Sequence, residues 1–509
     1  MRISRHLLSR TCSALCVLLF LTVIGGPIAG VARCAGPNVL FIAVDDLNDW
    51  VGFLGGHPQI KTPNMDRLAR LGVAFENAHC AAPLCCPSRA AIFSGQQPFT
   101  TGIYHNGPNI RKLHPDKVLL PQYFAAHGYR TFGTGKLLHH TSDGLYDEHF
   151  KPEQRWSPLA GKEQVAYTKE ELRTKTANPR HVVRFGPDKT EVVLPLNRMP
   201  SDRNPTGANG ESFDWGPFDV EDEEMGDGKI TSWAIERLNR KADKPFFLGV
   251  GYYRPHIPLW APKRYFDLYP EQSTILPKVL ANDLDDLGEA AQRWALEPVT
   301  AGAHKTVVEH GQWKAAVAAY LACVSFVDAQ IGRLLDALED SPYRDNTIIV
   351  IWGDHGWHLG EKQHWGKWTG WERSTRVPLL IVPPRSGNSQ YEIGATCRRP
   401  VGLIDLYGTL IDLCGLPRKT DLDGESLRPL LEDPSRETQP EITTFDHGNY
   451  SVRSDRWRLI HYNDGSEELY DHRTDPHEWH NLAGDSRYQQ VRQRLVKWLP
   501  KSAAKPLGR

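Results

Sequence analysis

A short stretch around Cys85 combines a thiol, a helix start and a basic side chain. Residues 85–95 read CCPSRAAIFSG, and Pro87 suits the first turn of a helix, where its missing N–H costs nothing. A helix that starts there places its positive end, together with Arg89, beside Cys85. Such an environment favours a thiolate and attracts an oxyanion. The stretch therefore predicts either a reactive cysteine or a buried cysteine that precedes an ordinary helix.

Three apolar runs lead into residues that could bind a metal ion or carry a proton. The first run is followed by Asp45 and Asp46, the second by a segment containing His256, and the third by Asp354 and His355. Strands of an open α/β sheet bind ligands beyond their carboxyl ends. Several carboxylates at one edge suit Ca²⁺ or Mg²⁺, although Asp45 and Asp46 alone could equally be a capping pair. The three runs are Asn38–Val44, 246–250 and 347–352.

The elements around these runs indicate an α/β fold. Helical patterns lie between the apolar runs, at residues 64–71, 120–127, 230–239 and 313–338. Alternating strands and helices predict a sheet covered on both faces. Residues 152–225 lack periodicity and are expected to form long surface loops over the site.

The C-terminal part of the chain has a different pattern of predicted secondary structure. From about Pro440, short runs typical of antiparallel strands are followed by a closing helix, residues 489–498. We therefore predict a catalytic domain at residues 36–438 and a small α+β domain at residues 439–509.

The N-terminus predicts export. A basic start precedes a mostly apolar run, residues 15–24, and small residues that fit a cleavage site. Because the run is too short to span a membrane comfortably, we interpret residues 1–32 as a signal peptide, with an uncleaved anchor as the alternative. The protein is expected to be secreted or periplasmic. No later apolar stretch is expected to be long enough to span a membrane, which predicts no stable membrane insertion.

Charge and cysteine content exclude some classes of protein. Lys and Arg number 60 and Asp and Glu 61, so the formal net charge is -1. This balance provides no global field for nucleic acid, and an anionic substrate must be held by local basic groups. Nine cysteines in 509 residues are too few for a disulfide scaffold. Cys80 with Cys86, or Cys397 with Cys414, could form a pair.

The spacing C-x-P-S-R-x-x-x-x-[ST]-G resembles the signature of type I sulfatases, and the similarity extends from Asn38 to about Asn481. The resemblance implies an alkaline-phosphatase-like fold, a large mixed sheet sandwiched by helices with a small C-terminal α+β domain. It implies that a separate maturation enzyme oxidises Cys85 to formylglycine. It also implies one Ca²⁺ per chain, with Mg²⁺ as the alternative. The implied metal-binding residues are Asp45, Asp46, Cys85, Asp354 and His355.

Four basic residues also match elements of the sulfatase family. Lys136 and His139 lie in a G-K-x-x-H element, His256 lies in a P-H-x-P element, and Lys367 follows Trp365 and Gly366. Three further histidines lack such a motif and are interpreted as structural or supporting residues. They are His140, His358 and His364.

The resemblance also implies a division of roles. Arg89, Lys136 and Lys367, together with the cation, are expected to neutralise the sulfuryl oxygens. His256 or Lys367 would protonate the departing alcohol, and His139 would take a proton from the second hydroxyl of the hydrated aldehyde. The base for the attacking hydroxyl is expected to be Asp354.

The branch of the family that the chain resembles is the iduronate-2-sulfatases. Residues 44–48, 251–258 and 354–361 are similar to that branch, which shares His355 where most sulfatases have Asn. Gly102, however, stands where the animal enzyme has an arginine. The expected substrate is a sulfated uronic acid or another sugar of a polysaccharide. The alternatives are an aryl- or choline-sulfatase, a phosphoester or phosphonate hydrolase, and an inactive protein that binds sulfated glycans.

Overall fold

The central sheet has eight strands, and their order explains where the functional side chains meet. The computed structural model describes residues 36–159, 161–162, 164–165, 182–203 and 212–508, so the predicted signal peptide at residues 1–32 lies outside the described residues. In sheet order the strands are Thr396–Cys397, Val73–Phe75, Leu379–Val382, Thr347–Gly353, Asn38–Val44, Phe246–Tyr252, Arg130–Gly135 and Glu148–Phe150. Among these eight, Leu379–Val382 runs antiparallel to both neighbours. The predicted large mixed sheet is confirmed.

The sheet is buried because side chains alternate between two apolar cores. In Asn38–Val44 every residue is buried. Leu40, Ile42 and Val44 belong to one apolar cluster, whereas Val39, Phe41 and Ala43 belong to the other. This period of two is that of a strand covered on both faces.

Helices cover both faces of the sheet. One face packs against Pro63–Ala69, Gly226–Leu238 and Trp313–Glu339, and the other against Cys85–Ser94, Leu120–Ala126 and Asp405–Leu413. The other described helices are Pro98–Thr101, Ile110–Leu113, Lys263–Phe266, Glu289–Leu296, His304–Glu309, Glu372–Thr375, Arg428–Glu432 and Gln489–Val496.

The longest helix contains an apolar stretch of membrane-spanning length, contrary to the expectation that no such stretch follows the N-terminal one. Within the described residues, Trp313–Glu339 is the helix long and apolar enough to cross a membrane, with a mean hydropathy of 1.5 over its most apolar window. Of that window 89% is buried inside the fold, which is typical of a core helix.

Residues 152–225, predicted as long loops, contain short strands where the structure describes them. Gln164–Val165, Val182–Phe185 and Thr190–Val193 form an antiparallel sheet of three strands, and Trp215–Phe218 pairs with Leu259–Pro262. Strands of two to four residues are too short to produce a readable alternation of apolar and polar residues.

The C-terminal sheet contains the predicted short strands and one more. Its order is Glu441–Asp446, Asn449–Arg453, Trp457–His461 and Glu467–Asp471, all antiparallel. Phe445, Ile460 and Tyr470 share a buried cluster with residues of Glu289–Leu296. Residues 36–509 form one compact unit, while the boundary at residue 438 stays a prediction.

The first strand of this sheet also touches the segment before Cys85. The backbone N–H of Thr444 donates to the carbonyl of Ala81 at 2.8 Å, and the hydroxyl of Thr443 donates to the carbonyl of Cys80 at 2.6 Å. The strand therefore braces the chain that leads into the helix of Cys85. The remaining short strands are Ala78–His79, His358–Leu359, Trp365–Gly366 and Val401–Gly402.

Candidate active site

Four neighbouring parallel strands deliver side chains to one edge of the central sheet. Asp45 and Asp46 follow Asn38–Val44, and Asp354 and His355 follow Thr347–Gly353. Lys136 follows Arg130–Gly135, and the segment with His256 follows Phe246–Tyr252. Because parallel strands end at the same edge, residues far apart in sequence meet there. This is the edge that the sequence predicts.

A left-handed residue and two backbone bonds orient the carboxylates. Asp46 has φ 58, which turns the chain sharply after the strand. The backbone N–H groups of Asp46 and His355 both donate to Oδ1 of Asp354, at 3.0 and 3.1 Å. Asp45, Asp46, Asp354 and His355 are fully buried.

Cys85 is the first residue of the helix Cys85–Ser94, and its thiol faces two basic groups. The preceding Leu84 provides no side-chain cap, so the N–H groups at the helix start leave a positive end there. Sγ of Cys85 lies 2.9 Å from Nζ of Lys367 and 3.2 Å from Nε2 of His355. Only 1% of Cys85 is exposed. The predicted environment of Cys85, at a positive helix end next to basic groups, is present.

Arg89 lies beneath the carboxylates as a buried bridge. Its Nε donates to Oδ2 of Asp354 at 2.8 Å, and its Nη2 lies 3.2 Å from Oδ1 of Asp45. Nη1 donates to the carbonyls of Lys136 and Leu137. Although burial opposes the charge, Asp354 and Asp45 raise the pKa of Arg89 above its usual range. These contacts fix the spacing of the two carboxylates.

Two lysines complete the charge balance of the buried site. Nζ of Lys136 contacts Oδ2 of Asp45, and Nζ of Lys367 lies 2.6 Å from Oδ1 of Asp46. Burial opposes the charge of both lysines, but the neighbouring aspartates raise the pKa of each. Both ammonium groups therefore stay charged next to Cys85.

The buried site shifts the pKa values of Asp45 and Asp46 in opposite directions. Although burial opposes ionisation, Lys136 and Arg89 hold the pKa of Asp45 well below its usual range. Burial raises the pKa of Asp46, against the pull of Lys367. Oδ2 of Asp46 is buried and has no hydrogen-bond partner among the described residues. A buried acceptor of this kind is costly unless a cation or donor satisfies it.

The donor set fits a divalent cation. Asp45, Cys85, Asp354 and His355 each offer an atom within 4.8 Å of the others, and Asp45, Asp46, Cys85 and His256 do the same. Carboxylate oxygens from three aspartates are the ligands that Ca²⁺ and Mg²⁺ prefer. The unpartnered oxygen of Asp46 supports this fit. All five residues predicted to bind the metal are thus brought together.

The two histidines predicted to carry protons take different places. Nε2 of His256 lies 3.9 Å from Oδ2 of Asp46, and its Nδ1 is 2.7 Å from the carbonyl of Ile257. Burial, with Lys367 and Lys136 adding, lowers the pKa of His256 well below its usual range. His139 is partly buried and groups instead with Cys86 and His140. Burial and Lys136 lower the pKa of His139 to about 3.

The histidines interpreted as supporting residues hold the loops around the site. Nε2 of His364 lies 3.1 Å from the carbonyl of Lys367, and Nδ1 lies 2.9 Å from that of Ala295. His358 is buried and contacts the hydroxyl of Thr369 at 3.0 Å. These contacts therefore hold the segment that carries Lys367 in place. His140 lies beside His139.

Sequence reasoning missed two tyrosines that shape the site. The hydroxyl of Tyr320 donates to the carbonyl of Asp46 at 2.7 Å and accepts from the N–H of Asn48 at 2.9 Å. The ring of Tyr253 lies 5.1 Å from Nζ of Lys136. Tyr253 precedes the P-H-x-P element and could have been suspected from it. Tyr320 lies in a long, mostly apolar helix and belongs to no motif, so the sequence does not distinguish it from the core residues around it.

The six described cysteines are unpaired and buried. Neither of the pairs considered from the sequence, Cys80 with Cys86 or Cys397 with Cys414, forms a disulfide. Burial raises the pKa of Cys86 to about 12 and that of Cys414 to about 12. The thiols of Cys86 and Cys414 are therefore protonated at neutral pH.

Comparison with known proteins gives consistent matches along the chain. A family profile described as "Sulfatase" matches residues 37–416, and one described as "N-sulphoglucosamine sulphohydrolase, C-terminal" matches residues 360–505. A protein named "Sulfatase" from Formosa agariphila is 38% identical over 479 residues, which cover 92% of this chain and 87% of that protein. The "Iduronate 2-sulfatase" of Homo sapiens is 30% identical over 426 residues, 74% of this chain and 69% of that protein.

A solved structure extends the likeness to three dimensions. It is described as being in complex with "its substrate D-Glucosamine-2-N, 6-O-disulfate" and superimposes with a TM-score of 0.66. The two sequences are 23% identical, and the match covers 91% of this chain and 96% of that one. At this identity the likeness concerns the fold.

Proposed function

Because the chain belongs to the sulfatase family, in the alkaline phosphatase superfamily, we propose that it hydrolyses a sulfate ester of a saccharide with a formylglycine made from Cys85. The observation that carries the proposal is the setting of Cys85. Its Sγ lies 2.9 Å from Nζ of Lys367 and 3.2 Å from Nε2 of His355, at the positive end of a helix. A nucleophile in this position faces the charges that an anionic sulfate group requires.

A calcium ion is the proposed cofactor, with Mg²⁺ as the alternative. Asp45, Asp46, Asp354 and His355 would hold it, and residue 85 would complete the set. When bound, the cation supplies positive charge that stabilises the sulfuryl group and favours loss of a proton from the nucleophile. The three aspartates are already balanced by Arg89, Lys136 and Lys367. A divalent ion would therefore leave the site positive, which suits an anionic substrate.

In the proposed first half-reaction, one hydroxyl of the hydrated aldehyde at residue 85 attacks sulfur. The bond between sulfur and the sugar oxygen breaks, and the alcohol leaves with a proton from Lys367 or His256. Lys136 and Lys367 hold the sulfuryl oxygens. Arg89, whose Nε, Nη1 and Nη2 each donate to a carboxylate or a carbonyl, contributes by fixing Asp45 and Asp354.

The second half-reaction uses the other hydroxyl of residue 85 and a proton acceptor. This hydroxyl loses its proton, the bond from carbon to the sulfate oxygen breaks, and sulfate leaves as the aldehyde forms again. Water then restores the hydrate. His139 is the proposed proton acceptor because the resemblance to the sulfatase family implies this role; burial and Lys136 lower its pKa, so the ring is neutral. Asp354 is the proposed base for the first half-reaction.

The proposed substrate class is a sulfated uronic acid or another sulfated sugar of a polysaccharide. The resemblance to iduronate 2-sulfatase at 30% identity supports it. So does the sulfated glucosamine in the structure that shares the fold. The predicted signal peptide supports a place outside the cytoplasm, either secreted or periplasmic, where such polymers are met.

Mass spectrometry of the peptide that contains Cys85 tests the proposal directly. Protein from a host with a working maturation enzyme is expected to carry oxygen in place of the thiol and one hydrogen. A hydrazine should trap the aldehyde. The same protein is then assayed on sulfated saccharides, aryl sulfate, choline sulfate and phosphate monoesters. Cys85→Ala is the matched inactive control.

Three results would contradict the proposal. An intact thiol in a competent host would remove the nucleophile. Faster turnover of a phosphate or phosphonate ester than of every sulfate ester would reassign the reaction. Binding of sulfated glycans without turnover would indicate an inactive binding protein.

A further inference from the structure

We propose that Cys86, His139 and His140 form a second metal site, selective for a borderline-soft transition metal such as Zn²⁺, beside the nucleophile. The three residues each offer a ligand atom, and these atoms lie within 4.8 Å of one another. One thiolate and two imidazoles are a donor set typical of zinc. Calcium and magnesium prefer oxygen, so the two metal sites would differ in chemistry.

The fold holds the three side chains in place from two directions. Cys86 is the second residue of the helix Cys85–Ser94, where its N–H donates to Oδ1 of Asn106 at 3.0 Å. Its Sγ lies 3.1 Å from the carbonyl of Pro108. His139 and His140 are consecutive residues after the strand Arg130–Gly135. Their rings lie 5.1 Å apart at an interplanar angle of 81°.

Two orphaned nitrogens point to a ligand. Nδ1 of His139 and Nε2 of His140 are buried and have no hydrogen-bond partner among the described residues. Burial and Lys136 lower the pKa of His139 to about 3, so its ring is neutral and can bind a metal. A buried imidazole nitrogen without a partner has lost its hydrogen bonds to water, and a bond to a metal ion would replace them.

Binding is expected to exchange a proton for the ion. A thiol must lose its proton to act as a metal ligand. On binding, the sulfur coordinates the ion and the thiol proton passes to solvent, without any change of oxidation state. The thiolate charge then offsets part of the repulsion between the ion and nearby Lys136.

This site would also control activity, a consequence that rests on the proposed function. A metal ion bound to His139 would occupy the residue proposed to accept the proton in the second half-reaction. Zinc is therefore expected to inhibit by stalling sulfate release. Excess calcium would not compete with it, because the two sites have different donors.

Cobalt spectroscopy tests the site without requiring turnover. The protein used is the full chain with Cys85→Ser, saturated with Ca²⁺, so that neither the nucleophile thiol nor the carboxylates bind the probe. Co²⁺ is expected to bind at one equivalent with a thiolate-to-cobalt charge-transfer band, and Zn²⁺ should abolish that band. Because this variant cannot turn over, failure here and failure of the proposed sulfatase reaction are distinguishable.

Matched variants decide which residues bind the probe. Adding Cys86→Ser should remove the charge-transfer band, and adding His140→Gln should weaken Co²⁺ affinity roughly 10-fold or more. Cys414→Ser, at another buried thiol, should leave the band unchanged. Absence of the band at saturating Co²⁺, or its persistence in the Cys86→Ser variant, would overturn the proposal. Circular dichroism confirms that each variant is folded.

Discussion

At residue 85, a single extra hydroxyl decides whether the proposed reaction can turn over. A hydrated aldehyde attacks with one hydroxyl and expels sulfate with the other. Serine has the same attacking oxygen at nearly the same place but no second hydroxyl. The surrounding groups, Lys367 at 2.9 Å and His355 at 3.2 Å, would act on either nucleophile. The two variants of residue 85 therefore separate attack from release.

We predict that Cys85→Ser protein reacts at most once. Its hydroxyl is expected to accept the sulfuryl group and to hold it, so product should not exceed one equivalent per chain. Intact mass measurement would detect the sulfated serine, and Cys85→Ala is the control that forms no adduct. Sustained turnover by Cys85→Ser would contradict the role of the second hydroxyl.

Among the elements, the strand Glu441–Asp446 connects the C-terminal sheet to the site and carries an unusual carboxyl. Glu441 begins this strand, near Asp405 and Glu425. Burial raises the pKa of Glu441 well above its usual range, and the two neighbouring carboxyls add to the effect. Burial likewise raises the pKa of Asp405 to about 7. These groups hold protons in the folded protein that they release when it unfolds.

The contribution of Glu441 and Asp405 to the free energy of unfolding should consequently decline as pH rises from about 4 to about 7, because the folded state keeps their protons over this interval. Above that range the contribution of Asp405 is fully lost. Glu441→Gln is expected to make the decline shallower, by up to about 1.4 kcal/mol per pH unit for one proton. Urea unfolding at several pH values measures the slope. Exposed Glu437→Gln is the matched control, and an unchanged slope in Glu441→Gln would contradict the assignment.

A second element, the C-terminal strap of residues 501–508, lies against the segment that supports Cys86. The N–H of Ala504 donates to the carbonyl of Phe99 at 2.7 Å, and that of Leu507 donates to the carbonyl of Gly102 at 2.9 Å. Gly102 has φ 75, and a Cβ there would lie 2.6 Å from the carbonyl of Lys505. Gly102 thus permits the strap to dock.

Deleting residues 501–509 is predicted to leave the core folded but to loosen residues 98–108. Because that segment contacts Cys86 next to the nucleophile, kcat/KM should fall roughly 10-fold to 100-fold, the scale of a small misplacement. Hydrogen exchange of the peptide that covers residues 98–108 should rise in parallel. Lys501→Ala, at an exposed strap residue, is the control. If hydrogen exchange of residues 98–108 stayed unchanged after the deletion, the strap would not stabilise that segment.

Over the whole molecule, the sequence predicts what is local and misses what depends on distant contacts. Apolar runs identify the strands, and the residues after them identify the edge of the sheet, because strand direction alone brings those residues together. The sequence predicts Arg89 at the sulfuryl group but not its buried contacts to Asp45 and Asp354, which follow different strands. Tyr320 likewise reaches the site, and the C-terminal strap reaches residues 98–108, through tertiary packing. Contacts of this kind produce no periodic pattern in the sequence.

The last prediction concerns the stability of the whole fold, because the proposed cation joins carboxylates from neighbouring strands. A ligand that binds only the folded state stabilises it by about 2.7 kcal/mol at a free concentration 100 times its Kd. Calcium should therefore raise the unfolding temperature, and a chelator should reverse the rise. Asp46→Asn should largely abolish the response, since Asp46 supplies an unpartnered buried oxygen. Exposed Asp267→Asn should respond like the natural protein. If Asp46→Asn kept the full calcium response, the cation would have to be held elsewhere, and the carboxylates at this edge would need a different role.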